Sequence, residues 1–120
     1  MDATGTAFDA AKKIMDHDIG CVVVVENKLR VIGVITKGDI LREAVIKKLE
    51  PDKVSVKDVM THPALTIRPE SSLDEAASIM SKNSITKLPV VKNDELVGIV
   101  TSTDLLGKRD VRSIFSKDNI

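Results

Sequence analysis

Apolar residues along this chain fall into two alternating spacings. FDAAKKIM, residues 8–15, sets Phe8, Ala11, Ile14 and Met15 on one helical stripe. LDEAASIM, residues 73–80, does the same with Leu73, Ala76, Ala77 and Met80. Ser72 and Glu75 form an S-x-x-E capping box ahead of the second stripe, and Thr6 and Asp9 make a weaker equivalent ahead of the first. The β-branched runs CVVVV (21–25) and LPVV (88–91) are too short for helices and suit buried strands. Turns at Glu26-Asn27-Lys28 and Lys92-Asn93-Asp94 lead from them into RVIGVIT (30–36) and LVGIVT (96–101). After each threonine the helical spacing returns, with Ile40, Leu41, Ala44, Val45 and Leu49 marking one face.

The order helix, strand, turn, strand, helix is therefore written twice. IGCVVVVEN (19–27) pairs with ITKLPVVKN (85–93), and GVITKGDIL (33–41) with GIVTSTDLL (98–106). Aligning the helices as FDAAKKIM over LDEAASIM requires one residue added before Ile85 and one lost in the turn near Arg30. Between the copies, Pro51, Pro63 and Pro69 punctuate EPDKVSVKDVMTHPALTIRPE, where VSVKDVM predicts a short helical turn and ALTI a strand. The first copy shows no such leading strand: the chain opens at MDATGT, already close to the helix cap, as if begun late or cut from something longer. The predicted division is a first repeat over 1–50 and a second over 51–120. One repeat has too little apolar surface to close a core, and two packed together have enough. The fold class is α+β, mixed helix and strand.

Charge narrows the partners. Lysine plus arginine and aspartate plus glutamate number 18 each, so no global field draws in nucleic acid or an anionic surface. With no tryptophan or tyrosine and two phenylalanines, stacking on bases is nearly unavailable. Nucleic acid is not expected as a partner, although Lys47-Lys48 and Lys108-Arg109 form short basic pairs. No apolar run approaches the roughly 18 residues of a membrane span, and no signal peptide is written at the start. A single cysteine, Cys21, excludes a disulfide framework within the chain and fits the cytoplasm, with the thiol expected to be buried and inert. His17 and His62 lie far apart without metal-ligand spacing, so no metal site is expected. No carboxylate forms an acid–base pair with a nucleophile, which points away from an enzyme. Asp110, with Arg109 and Arg112, reads as a solvated helix face, and Ile114 and Phe115 beyond Gly107 suggest a contact made by the tail.

The repeated phrase carries the candidate chemistry. Thr101 ends a strand and Ser102-Thr103-Asp104 opens a helix, where amides lack partners and the dipole is positive. Hydroxyls at 101 and 103 can donate to phosphate, and an ionised Asp104 suits a vicinal diol such as ribose. Thr-x-x-Asp is equally a helix cap, and duplication copies caps as faithfully as sites. Both readings stand on these residues alone. Pro89 cannot donate to a ladder, so Leu88-Pro89-Val90 is expected at an edge or bulge, with main chain at Thr86 and Lys87 left to meet a ligand or solvent.

With these elements in order, the whole pattern resembles a tandem pair of cystathionine-β-synthase-type domains, the CBS pair or Bateman module. The residues that carry it are ALTIRPESSLDEAASIM, ITKLPVV and GIVTSTD in the second copy, and FDAAKKIM, IGCVVVV and GVITKGD in the first. The resemblance implies two repeats, each a three-stranded mixed sheet with two helices, related by a pseudo-two-fold axis with two clefts. It implies homodimers that form a four-repeat disk. It also implies an adenosine ligand (AMP, ADP, ATP or S-adenosylmethionine) that regulates an attached or partner enzyme, transporter or channel, with no catalysis and no required cofactor. Carried over by position, Asp104 would hold the ribose, Thr101 and Thr103 the phosphate, and Thr66 would line the cleft near the base. Main chain at Thr86 and Lys87, beside Pro89, would meet adenine. The first copy gives Thr36 and Asp39, with backbone at Gly20, Cys21 and Val22.

Three departures favour the second site. Gly38 stands where Thr103 stands, Cys21 stands where Lys87 stands, and the first repeat lacks a visible leading strand. The expected function is a non-catalytic sensor of adenosine ligands. The alternatives are a dimerisation or partner-docking scaffold with empty clefts, and a regulatory fragment of an enzyme such as IMP dehydrogenase.

Overall fold

The two copies fold as two units, Met1–Ala64 and Leu65–Ile120. A computed structural model describes residues 1–105. The expectations for Gly107, Lys108-Arg109, Asp110, Arg112 and the tail bearing Ile114 and Phe115 fall outside the described residues.

In the first unit, helix α1 (Ala7–Asp16) starts at Thr6, whose side chain accepts the Asp9 amide while Asp9 accepts the Thr6 amide. Strands β1 (Cys21–Glu26) and β2 (Arg30–Thr36) form an antiparallel hairpin with Cys21 opposite Thr36 and a bulge between Val24 and Val25. Asn27 and Lys28 both have positive φ, as a tight hairpin turn requires. Helix α2 (Lys37–Ile40) continues into a π-helical turn, Leu41–Val45. It stops where Lys48 turns left-handed and the Leu49 amide reaches back to the Ala44 carbonyl. A single parallel bridge of Asp2 to Val25, with bonds from the Ala3 amide to the Val25 carbonyl and from the Val25 amide to the Met1 carbonyl, lays the opening residues along the hairpin where the sequence showed no leading strand.

The segment from residue 51 to Ala64 packs with this unit. Thr6 bridges Ser55, Val34 bridges Thr61, and helix α3 (Val56–Val59) buries Val56 and Val59 in the same core as Ile14, Val24 and Ile35. The prolines mark this stretch as irregular, but only its apolar residues say which core it completes. Packing is closest at Gly33, where an added Cβ would stand 2.5 Å from Met60 Sδ and 3.0 Å from the Thr61 carbonyl. The thioether can move but the carbonyl is backbone. Gly33→Ala is expected to cost about 1–2 kcal/mol in urea unfolding, an overpacking penalty. Wild-type stability in that variant would show that the segment yields freely.

The second unit repeats the plan. Helix α4 (Leu73–Asn83) starts at Ser72, which accepts the Glu75 amide, and ends at left-handed Ser84. Strands β3 (Lys87–Lys92) and β4 (Glu95–Thr101) pair antiparallel with a bulge between Val90 and Val91, and Ile67 bridges Val90 in parallel. Helix α5 opens at Ser102–Leu105. Ile67, Ala76, Met80, Leu88, Val90 and Val100 make its core. The mixed helix-and-strand class is as the sequence predicts. Among the described residues, no helix is long and apolar enough to cross a membrane.

The helices correct the alignment by one residue. α1 buries Ala7, Ala10 and Ile14, and α4 buries Ala76 and Met80 with Leu73 partly covered. Counted from the caps Thr6 and Ser72, Phe8 matches Asp74 and Met15 matches Ser81. The repeated letters I-M lie one step out of structural phase, whereas Ala10-Ala11 falls on Ala76-Ala77. Met15 is consequently 74% exposed while Met80 is 4% exposed, and the predicted core stripe of α1 rotates to leave Phe8 outside. With the phase set by the caps, Ile19 matches Ile85 without any inserted residue, and the shift falls only at the hairpin turn, longer in the first unit.

Candidate functional site

Each unit builds the same corner from a strand end and a helix start, and the two corners differ in what occupies them. In the second, the Thr101 amide donates to Asp104 Oδ2 at 2.8 Å and the Thr101 hydroxyl to the same oxygen at 3.0 Å. The Asp104 amide returns a bond to Thr101 Oγ1 at 3.3 Å. Asp104 is half-buried and Thr103 is exposed. Among the described residues, Asp104 Oδ1 accepts no hydrogen bond in this corner.

In the first corner, the Thr36 amide donates to Asp39 Oδ2 at 2.9 Å and the Asp39 amide to Thr36 Oγ1 at 3.1 Å. Here Oδ1 is also taken, by Arg42 Nη2 at 2.7 Å and by the Thr61 hydroxyl at 3.1 Å. Asp39 is 3% exposed. Thr-x-x-Asp is thus a cap in both units, and in the first unit the cap uses the whole carboxylate.

The structure brings most of the predicted second-site residues together. Lys87 lies opposite Thr101 in the ladder, and Pro89 opposite Ile99. Pro89 is buried, and its carbonyl accepts the Ile67 amide, so β3 is edged by a single bridging residue there. The Thr86 carbonyl is not left for a ligand: it accepts the Ser102 amide at 2.8 Å, because the first helical amide needs a partner. The Thr101 hydroxyl is likewise turned to Asp104, which leaves Thr103 as the exposed hydroxyl. Thr66 lies in a different hollow, about 360 Å³, lined by Arg68, Pro69, Glu70 and the Val91–Asp94 turn and by none of the corner residues. In the first unit, Gly20 is exposed with open space beside its Cα, Val22 is buried, and Cys21 is half-buried rather than sealed in the core.

Arg42 and Thr61 are the residues of the first corner that sequence reasoning missed. Arg42 stands three residues after Asp39 on a helix, a spacing that places two side chains side by side and was open to inspection. Thr61 carries no such signal, because it reaches Asp39 only through the bridge to Val34.

The family model described as CBS domain matches residues 2–46 and 56–110. A protein of Methanopyrus kandleri, itself uncharacterized, is 38% identical over 104 residues, which are 86% of this chain and 53% of that one. An inosine-5′-monophosphate dehydrogenase of Nitrosopumilus maritimus is 32% identical over 103 residues, 85% of this chain and 20% of the enzyme. A solved signal-transduction protein with CBS domains from Burkholderia ambifaria superposes with a TM-score of 0.77 at 26% identity, covering 88% of this chain and 76% of that one. The chain spans about half the length of the curated relatives it matches first.

Proposed function

Because this chain belongs to the CBS-domain family, whose members are regulatory modules, we propose that it senses an adenosine ligand without catalysing a reaction. AMP, ADP, ATP or S-adenosylmethionine binds at the Thr101–Asp104 corner of the second repeat. The observation that carries this reading is the carboxylate oxygen Asp104 Oδ1, half-buried and without a donor among the described residues. A ribose diol donates to it. Thr103 offers an exposed hydroxyl to phosphate, and Lys87, across the ladder from Thr101, brings an ammonium to the same strand end. Occupancy favours the conformation that holds the corner open to ligand, and a partner enzyme or transporter in the cytoplasm reads that shift. Thermal unfolding with each of the four ligands tests the reading. Stabilisation by at least one is expected, and indifference to all four would leave only a scaffold.

A second property rests on a separate observation. Phe8 and Met15 occupy helix positions that are Asp74 and Ser81 in the other repeat. Leu41 and Val45 on the helix packed beside α1, and Ile46 and Leu49 in the turn that follows it, are exposed as well. Among the described residues, six of the seven exposed large apolar side chains therefore belong to the first unit. On the same two segments Lys12 pairs with Asp16 and Glu43 with Lys47. Monomers seldom expose more than about 300–600 Å² of contiguous apolar surface, and a standard interface takes about 800 Å² from each partner. A homodimer joined through this face is the occupant proposed. Light scattering at tens of micromolar should find dimers in the wild type and monomers in Met15→Glu/Ile46→Glu; a monomeric wild type removes the proposal.

A further inference from the structure

The first corner is filled by the protein's own side chains. Asp39 Oδ1 takes Arg42 from the next helical turn and Thr61 from the bridged segment that follows α3. A carboxylate oxygen accepts through about two lone pairs, so these donors exhaust it. A ribose hydroxyl would have to displace a charged guanidinium donor and offer an uncharged one in its place. Gly38 is what allows this arrangement: a Cβ there would lie 3.2 Å from Arg42 Nη1 and 3.6 Å from Thr36 Oγ1. The second copy has Thr103 at that position. A side chain at residue 38 would therefore crowd the guanidinium by a few tenths of an ångström. Arg42 keeps 62% of its side chain exposed, so the pair contributes little to stability by itself and is better read as setting what the corner accepts.

We infer that Arg42 and Thr61 latch the first corner shut, so that each chain takes one adenosine ligand, at Asp104, and that Gly38 lets the latch form. The inference rests on the reading of Asp104 as the ligand seat. Calorimetric titration of the full chain with AMP, ATP and S-adenosylmethionine in turn is expected to give one site per chain. That site should vanish in Asp104→Asn and survive in Arg42→Ala. Two sites in the wild type, or one that survives Asp104→Asn, overturns the latch. A second readout needs no nucleotide. In the nitrogen-correlated NMR spectrum, the Arg42 guanidinium protons should be individually resolved by slow rotation in the wild type and averaged in Gly38→Thr. An Arg42 signal averaged in the wild type, as for exposed Arg30, overturns the latch whether or not nucleotide binds. Absence of binding together with a resolved Arg42 signal overturns the adenosine reading and leaves the closed corner standing.

Discussion

Asp104→Ala should abolish ligand stabilisation of the chain, which in the wild type is about 2.7 kcal/mol at a hundred times the dissociation constant. The substitution removes both oxygens: Oδ2, which holds the Thr101 amide and hydroxyl, and Oδ1, which accepts no bond among the described residues. Loss of the first weakens a helix cap by about 1 kcal/mol in the ligand-free protein. Loss of the second removes the acceptor for the sugar. The two effects separate in one experiment, thermal unfolding of both proteins with and without ligand. A ligand response that survives the substitution would move the site elsewhere. Asp104→Asn refines the comparison, since it keeps the shape and one carbonyl oxygen while discarding the charge.

Asp39→Ala should give the opposite result: a ligand-free loss of about 2–3 kcal/mol, with the ligand response intact. This carboxyl is buried and accepts three donors, the Thr36 amide, the Arg42 guanidinium and the Thr61 hydroxyl. Arg42 is exposed enough to rehydrate, so most of the loss comes from the cap and from the tie to Thr61. Urea unfolding measures it, with the transition midpoint falling at unchanged slope. A loss below about 0.5 kcal/mol would mean that the bonds at Asp39 contribute nothing net. Two aspartates in the same written phrase thus separate by the property each governs.

The fold was legible because local signals agreed. Caps at Thr6 and Ser72, β-branched strands and paired turn residues with positive φ all lie where the sequence placed them. The complete reciprocal box is at Thr6 with Asp9, however, and not at Ser72, where only the Glu75 amide bond forms. Letter matching misled at α1, because two apolar neighbours, Ile14 and Met15, fit either of two helical phases and only the cap decides between them. The corner was legible as a place but not as a state. Thr36 and Thr101 read alike, and the difference lies in Thr61, a contact across 22 residues that no periodicity announces. Thr66 was assigned to the corner through its family position, yet in the structure it lines the hollow beside the hairpin turn.

The attachment of residues 54–61 to the first unit also bears on synthesis. Ala7 donates to the Val54 carbonyl, Val56 to that of Gly5, and Thr61 exchanges two bonds with Val34. A nascent chain that has released residues 7–50 but not 54–61 therefore holds α1 and the hairpin with one wall of their core still absent. At about 5–20 residues per second, the ribosome supplies that wall within a few seconds. Until then the apolar side of α1 stands open to chaperones, and a pause in translation there would prolong the exposure.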